Sequence, residues 1–94
     1  MSNHLGVDGF PRPREEDQKI SLDLLATFNT PSGKATLQYL KSITIEAISG
    51  GAISNDELRH LEGQRFLVAM IVKRLNHAER IKNGRANTNL RDAS

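Results

Sequence analysis

Ser54–Ile81 reads SNDELRHLEGQRFLVAMIVKRLNHAERI, and most of the architecture follows from it. Ser54-Asn55-Asp56-Glu57 has the arrangement of a capping box, in which the serine hydroxyl accepts from the backbone and the glutamate reaches back. Leu58, Leu61, Leu67, Val68, Ile71, Val72, Leu75, Ala78 and Ile81 then fall on one broad apolar face of a helix, with Leu61, Val68 and Leu75 recurring every seven residues. The stretch predicts a long amphipathic helix, with Glu62-Gly63-Gln64-Arg65 inside it and cations at its far end. It reads as an assembly element rather than a reaction centre.

Two residues inside this helix invite explanation. Gly63 costs about 1 kcal/mol relative to alanine in a helix interior, so either another helix approaches closely there or the position is tolerated with a slight kink. Arg65 either forms a buried or inter-subunit pair with Glu62, Asp56 or a partner carboxylate, or is an exposed helix charge of little energetic weight.

Upstream, Met1 to about Arg14 is polar and interrupted by Gly6, Gly9, Pro11 and Pro13, which predicts a flexible arm over residues 1–15. Arg12, Arg14, Glu15, Glu16 and Asp17 are expected to stay solvated, the acidic trio complementing the dipole of an opening helical turn. A first helix follows from about Glu16 to Phe28, with Ile20, Leu24, Leu25 and Phe28 on one face. Asn29-Thr30-Pro31-Ser32-Gly33 forms the corner, with Thr30 as N-cap and Pro31 at the first helical position. The second helix carries Leu37, Leu40, Ile43 and Ala47 on one side. Ile43–Ala47 also alternates with a period of two and is rich in β-branched residues, so a short strand competes, but helix is preferred because no second strand is in view. Ser49-Gly50-Gly51-Ala52 is expected to end that helix, and residues 83–94 read as a disordered tail.

The expected fold is therefore all-α: a small three-helix domain over residues 16–82 with a long C-terminal helix and disordered N- and C-terminal arms. In a chain of 94 residues with one tyrosine, three phenylalanines and no tryptophan, the core must come mainly from aliphatic side chains, and it is small enough that a partner is expected. The absence of cysteine removes disulfides and thiolate metal sites. A net charge of +2 does not compel a nucleic-acid partner. No apolar stretch reaches membrane-spanning length, and the opening residues lack the pattern of a secretion signal, so a soluble protein without a membrane role is expected.

Candidate chemistry is sparse. Gly33-Lys34 suggests a phosphate-binding loop, but Phe28 and Ala35 stand where that loop needs a glycine and a hydroxyl residue. His4, His60 and His77 lie far apart and none forms the helical histidine pair of a zinc site, so neither metal nor cofactor is expected. His60 beside Glu57 and Glu62, and Glu62 with Arg65, lack the converging pocket that acid–base work requires, which predicts a non-enzyme. Lys73, Arg74, Arg80, Lys82, Arg85 and Arg91 outweigh Glu79 and Asp92, so the C-terminal end could meet phosphates without sequence preference. Alternatively, these cations complement the helix dipole and solubilise a tail.

Phe28-Asn29-Thr30-Pro31-Ser32-Gly33-Lys34, Leu37-Gln38-Tyr39-Leu40, Ile43-Thr44-Ile45-Glu46 and Leu58-Arg59-His60-Leu61-Glu62-Gly63-Gln64-Arg65 together resemble a family of small tailed-phage and prophage proteins typified by a Bordetella phage protein. The resemblance spans about Leu24 to Arg80. Because genes of that family lie among head, portal and packaging genes, it implies a virion or assembly role, in the particle or in the host cytoplasm during assembly, and no catalytic residues. Under this expectation a helical face docks on a portal or head-to-tail connector, or the protein travels as an internal or ejection component. Leu67, Met70 and Ile71 supply apolar contact, Glu62 and Arg65 set register, and a homo-oligomer also fits. The alternative is a small nucleic-acid-binding accessory in packaging or regulation, using Lys73, Arg74, Arg80, Lys82 and Arg85.

Overall fold

The computed structural model describes residues 4–47 and 53–93, with side chains through Gly84. Three helices carry the fold: α1 (Arg14–Phe28), α2 (Pro31–Ser42) and α3 (Asn55–Ala93), preceded by the short strands β1 (His4–Leu5) and β2 (Pro11–Arg12). The all-α, three-helix reading with a long last helix holds. Helix α3 continues past the boundary predicted at residue 82. The expected helix end at Ser49–Ala52 lies outside the described residues.

The corner between α1 and α2 is built as its residues dictate. Thr30 is extended, and its Oγ1 accepts from the Gly33 N–H at 2.9 Å, with Pro31 opening the helix where no amide is needed. Gly33 packs so tightly that a Cβ there would lie 2.6 Å from Phe28 Cα, which only glycine permits. At the start of α3, Ser54 Oγ accepts from the Glu57 N–H at 3.1 Å, the serine half of the expected box.

Ile43–Ala47 is neither the preferred helix nor the competing strand. The chain leaves α2 through successive turns, with Thr44 N–H donating to Lys41 O at 3.2 Å and Ala47 N–H to Thr44 O at 3.1 Å. Thr44 Oγ1 also donates back to Leu40 O at 2.5 Å, and this hydroxyl competition favours turning over continuing.

Within the segment predicted as a flexible arm, residues 4–12 form an antiparallel hairpin, with His4 opposite Arg12 and Leu5 opposite Pro11. Gly9 takes a positive φ of 83° at its tip, and Gly6 N–H donates to Phe10 O at 2.9 Å. The prolines and glycines read as breakers are here turn-formers.

The interior is thin. Among the described residues the buried apolar side chains are Leu25, Val68 and Ala78, and they share the interior with Asp17, Ser21, Thr44 and Arg74. The radius of gyration is 17.0 Å, against about 12 Å for a compact chain of this length. The accessible surface is 7056 Å², against about 5,400 Å² expected at 10.4 kDa. No described helix is long and apolar enough to cross a membrane.

Candidate functional site: a buried arginine centre and an exposed helical strip

Asp17, Ser21 and Leu25 recur at intervals of four and form the buried line of α1. From α3, Arg74 meets this line. Its Nη1 donates to Asp17 Oδ1 at 2.6 Å, to Asp17 O at 2.9 Å and to Ser21 Oγ at 3.1 Å, with the residue only 3% exposed. The hairpin closes the remaining side: Asp8 Oδ2 lies 3.3 Å from Arg74 Nη2 and accepts from Arg12 Nη2 at 2.7 Å, while the Val7 N–H donates to Asp17 Oδ1 at 3.2 Å. One guanidinium thus joins α1, α3 and the hairpin. Two predictions are overturned here: Asp17 is fully buried rather than solvated, and Arg74 leaves the set of phosphate-facing cations because its charge is already spent inside.

Electrostatics agree with this wiring. Burial pushes the Asp17 carboxyl upward, but hydrogen bonds from Arg74 and the Val7 N–H, with the charges of Arg74 and His77, outweigh it and hold the carboxyl below its ordinary value. The Arg12 hydrogen bond brings Asp8 down to about 2. Burial lowers His77; Asp17 opposes the shift, while Arg80, Arg74 and His4 reinforce it. Ser21 Oγ sits 2.7 Å from His77 Nδ1 while accepting from Arg74 Nη1 at 3.1 Å, so the hydroxyl links the imidazole to the guanidinium.

Serine, histidine and aspartate in proximity suggest a hydrolytic triad, but the geometry serves a different purpose. Ser21 has no exposed surface, its hydroxyl is engaged on both sides, and Asp17 is held by Arg74 rather than aligned on the imidazole. Beside the centre, His4, Arg14, Asp17, Gln18 and His77 line a depression of about 190 Å³. Among the described residues no group of three His, Asp or Glu side chains is placed to hold a metal ion.

The other predicted residues separate into two sets. Arg65 turns inward, its Nε donating to Thr44 O at 2.9 Å and its Nη2 to Ala47 O at 2.7 Å, so within the chain it ties the turn after α2 to α3. Ile71 and Met70 are half-buried, whereas Glu62, Lys73, Arg80 and Lys82 are exposed; Arg85 lies beyond the described side chains. Leu67 is 63% exposed and its neighbour Phe66 68%, although Leu67 belongs to the predicted buried face. Helix α3 packs through Leu61, Arg65, Val68 and Val72 in its first half and through Ile71, Arg74 and Ala78 further on. Its covered side therefore drifts around the axis and leaves Leu67 outside.

Gly63 lies on that uncovered side, and a Cβ built there would meet nothing within 4 Å. Within one chain it is thus the tolerated glycine of the two readings. Gly63, Phe66, Leu67 and Met70 follow at helical spacings and make a strip with Asp56, Arg59 and His60 upstream, which themselves line a shallow hollow of about 400 Å³.

The buried centre went unpredicted because its members were read one at a time. A signal existed: Arg74 falls three residues after Ile71 and four before Ala78, a charge set within an apolar face. Comparison with protein-family models, curated proteins and solved structures finds no match to this chain.

Proposed function

We propose that this protein is a non-enzymatic component of a tailed-phage particle or of its assembly, docking by exposed helical surface on a larger body such as a portal or head-to-tail connector, or carried as an internal protein. The observation behind this reading is the pairing of a core in which the described residues bury three apolar side chains with an outer strip where Phe66 and Leu67 stand side by side in solvent. Contiguous apolar side chains left outside while charges are packed inside are the mark of a surface awaiting cover. Tyr39, Ile43 and Ile45 add a second exposed apolar edge along α2 and its following turn. The phage setting comes from the resemblance carried by the Phe28–Lys34 corner and Glu62–Arg65. Mass spectrometry of purified particles tests it: a fixed copy number per virion is expected, and absence from virions and from assembly intermediates contradicts it.

A second reading, a sequence-independent nucleic-acid accessory, draws on the exposed cations Lys73 and Arg80, which lie seven residues apart on one side of α3. It predicts duplex binding that weakens steeply with salt and with Lys73→Gln and Arg80→Gln, while Arg74 contributes nothing to phosphate contact. Binding that ignores both substitutions removes it.

A further inference from the structure

We infer that the strip on α3 is covered by a second copy of this chain, packed antiparallel across a two-fold axis at Gly63. This inference rests on the reading of exposed helical surface as docking surface, and it names the occupant of one part of it.

The strip is self-complementary about that glycine. On its C-terminal side stand the exposed Phe66 and Leu67 and the half-buried Met70; on its N-terminal side Asp56, Arg59 and His60 line the shallow hollow of about 400 Å³. A two-fold axis at Gly63 sets Phe66 and Leu67 into the hollow at Arg59 and His60 of the second copy, and Met70 against its Asp56. Each copy thus supplies knobs to one half of the interface and a hollow to the other. The guanidinium of Arg59 then faces the Phe66 ring, a pairing this chain already makes in its hairpin, where Arg12 lies 5.9 Å from the Phe10 centroid.

Gly63 permits the close approach. Its missing side chain opens on solvent in one chain, so the helix-propensity cost of about 1 kcal/mol has no return until a second helix crosses there. Phe66 and Leu67, 68% and 63% exposed in one chain, are the apolar surface that this pairing removes from water. The Tyr39, Ile43 and Ile45 edge remains outside the pairing and is left for the larger assembly.

The lack of native cysteine makes the axis directly testable. Gly63→Cys should give disulfide-linked dimers under mild oxidation, because the two positions meet, while Ala69→Cys on another side of α3 should not. Sedimentation equilibrium of the unmodified chain should show a dimer, and Gly63→Gln should raise its dissociation constant about thirtyfold. Gly63→Gln gains helix propensity and meets no atoms of its own chain, so circular dichroism should show it fully folded. A monomer at every soluble concentration, equal or absent cross-linking at both positions, or a dimer indifferent to Gly63→Gln overturns the inference. Any of these results with the protein still present in virions leaves the functional reading standing; a dimer absent from virions does the reverse.

Discussion

The centre at Arg74 and the strip at Phe66 lie on the same helix, and they reverse the usual distribution of side chains. At Arg74 a charge is packed where an aliphatic residue would serve, enclosed by Asp17, Ser21 and the hairpin carboxylate of Asp8. At Phe66 and Leu67, apolar side chains stand where charges would serve. The first is assembled within one chain and joins α1, α3 and the hairpin, although among the described residues Asp17 Oδ2 and Arg74 Nη2 are left without a hydrogen-bond partner. The second is incomplete within one chain. Internal order here comes from directional polar bonds, and the apolar surface is left for association.

The largest expected effect comes from opening the closed region. Arg74→Met leaves the Asp17 carboxylate buried without its counter-charge and should cost about 3–5 kcal/mol, measured by urea unfolding. Combined with Asp17→Asn, the loss should be well below the sum of the two single losses, since both report on one pair. A loss within about 0.5 kcal/mol for Arg74→Met would mean that the arginine is a bystander. Ser21→Ala, which removes the acceptor for Arg74 and the hydrogen-bond partner of His77, should cost about 1–2 kcal/mol.

Acid should act on the same region in two steps. His77 is lowered from the ordinary 6.5, so below that pH the unfolded chain takes up a proton that the folded chain resists, and stability falls as pH drops. His77→Gln should remove this first step. Asp17 is also lowered, from 3.8, and Asp8 lies at about 2. Their contribution is present above about pH 4 and is lost as pH falls through the folded values. Stability that rises on acidification from pH 7 to 5 would contradict the lowering of His77 by burial.

The smallest effect on the single chain is expected in the open region. Phe66→Ser and Leu67→Ser should change the stability of the monomer by no more than about 0.5 kcal/mol while loosening the dimer, separated by unfolding at low concentration and sedimentation at high. A large loss of monomer stability would place these side chains in the core.

The helices were legible because capping and periodicity are local: Ser54 to Glu57, Thr30 to Gly33 and the seven-residue series on α3 each act over a turn or two. The tail of α2 was not, because β-branched Ile43, Thr44 and Ile45 satisfy several patterns and the choice fell to the Thr44 hydroxyl and to Arg65, twenty-one residues further on. The hairpin and the buried centre were least legible. Asp17 and Arg74 are fifty-seven residues apart, and nothing near either announces the other. Of the strip, Leu67, Met70 and Gly63 were singled out, but Phe66 was not, since it falls outside the seven-residue series that defines the predicted face.

The central claim is that this chain exposes apolar surface that a second subunit covers, so its folding and its association are coupled. Thermal unfolding of the unmodified protein across a wide concentration range measures that coupling directly. The midpoint should rise with protein concentration, and that rise should be much weaker in Gly63→Gln. A cooperative transition at one fixed midpoint, whatever the concentration, would contradict the account.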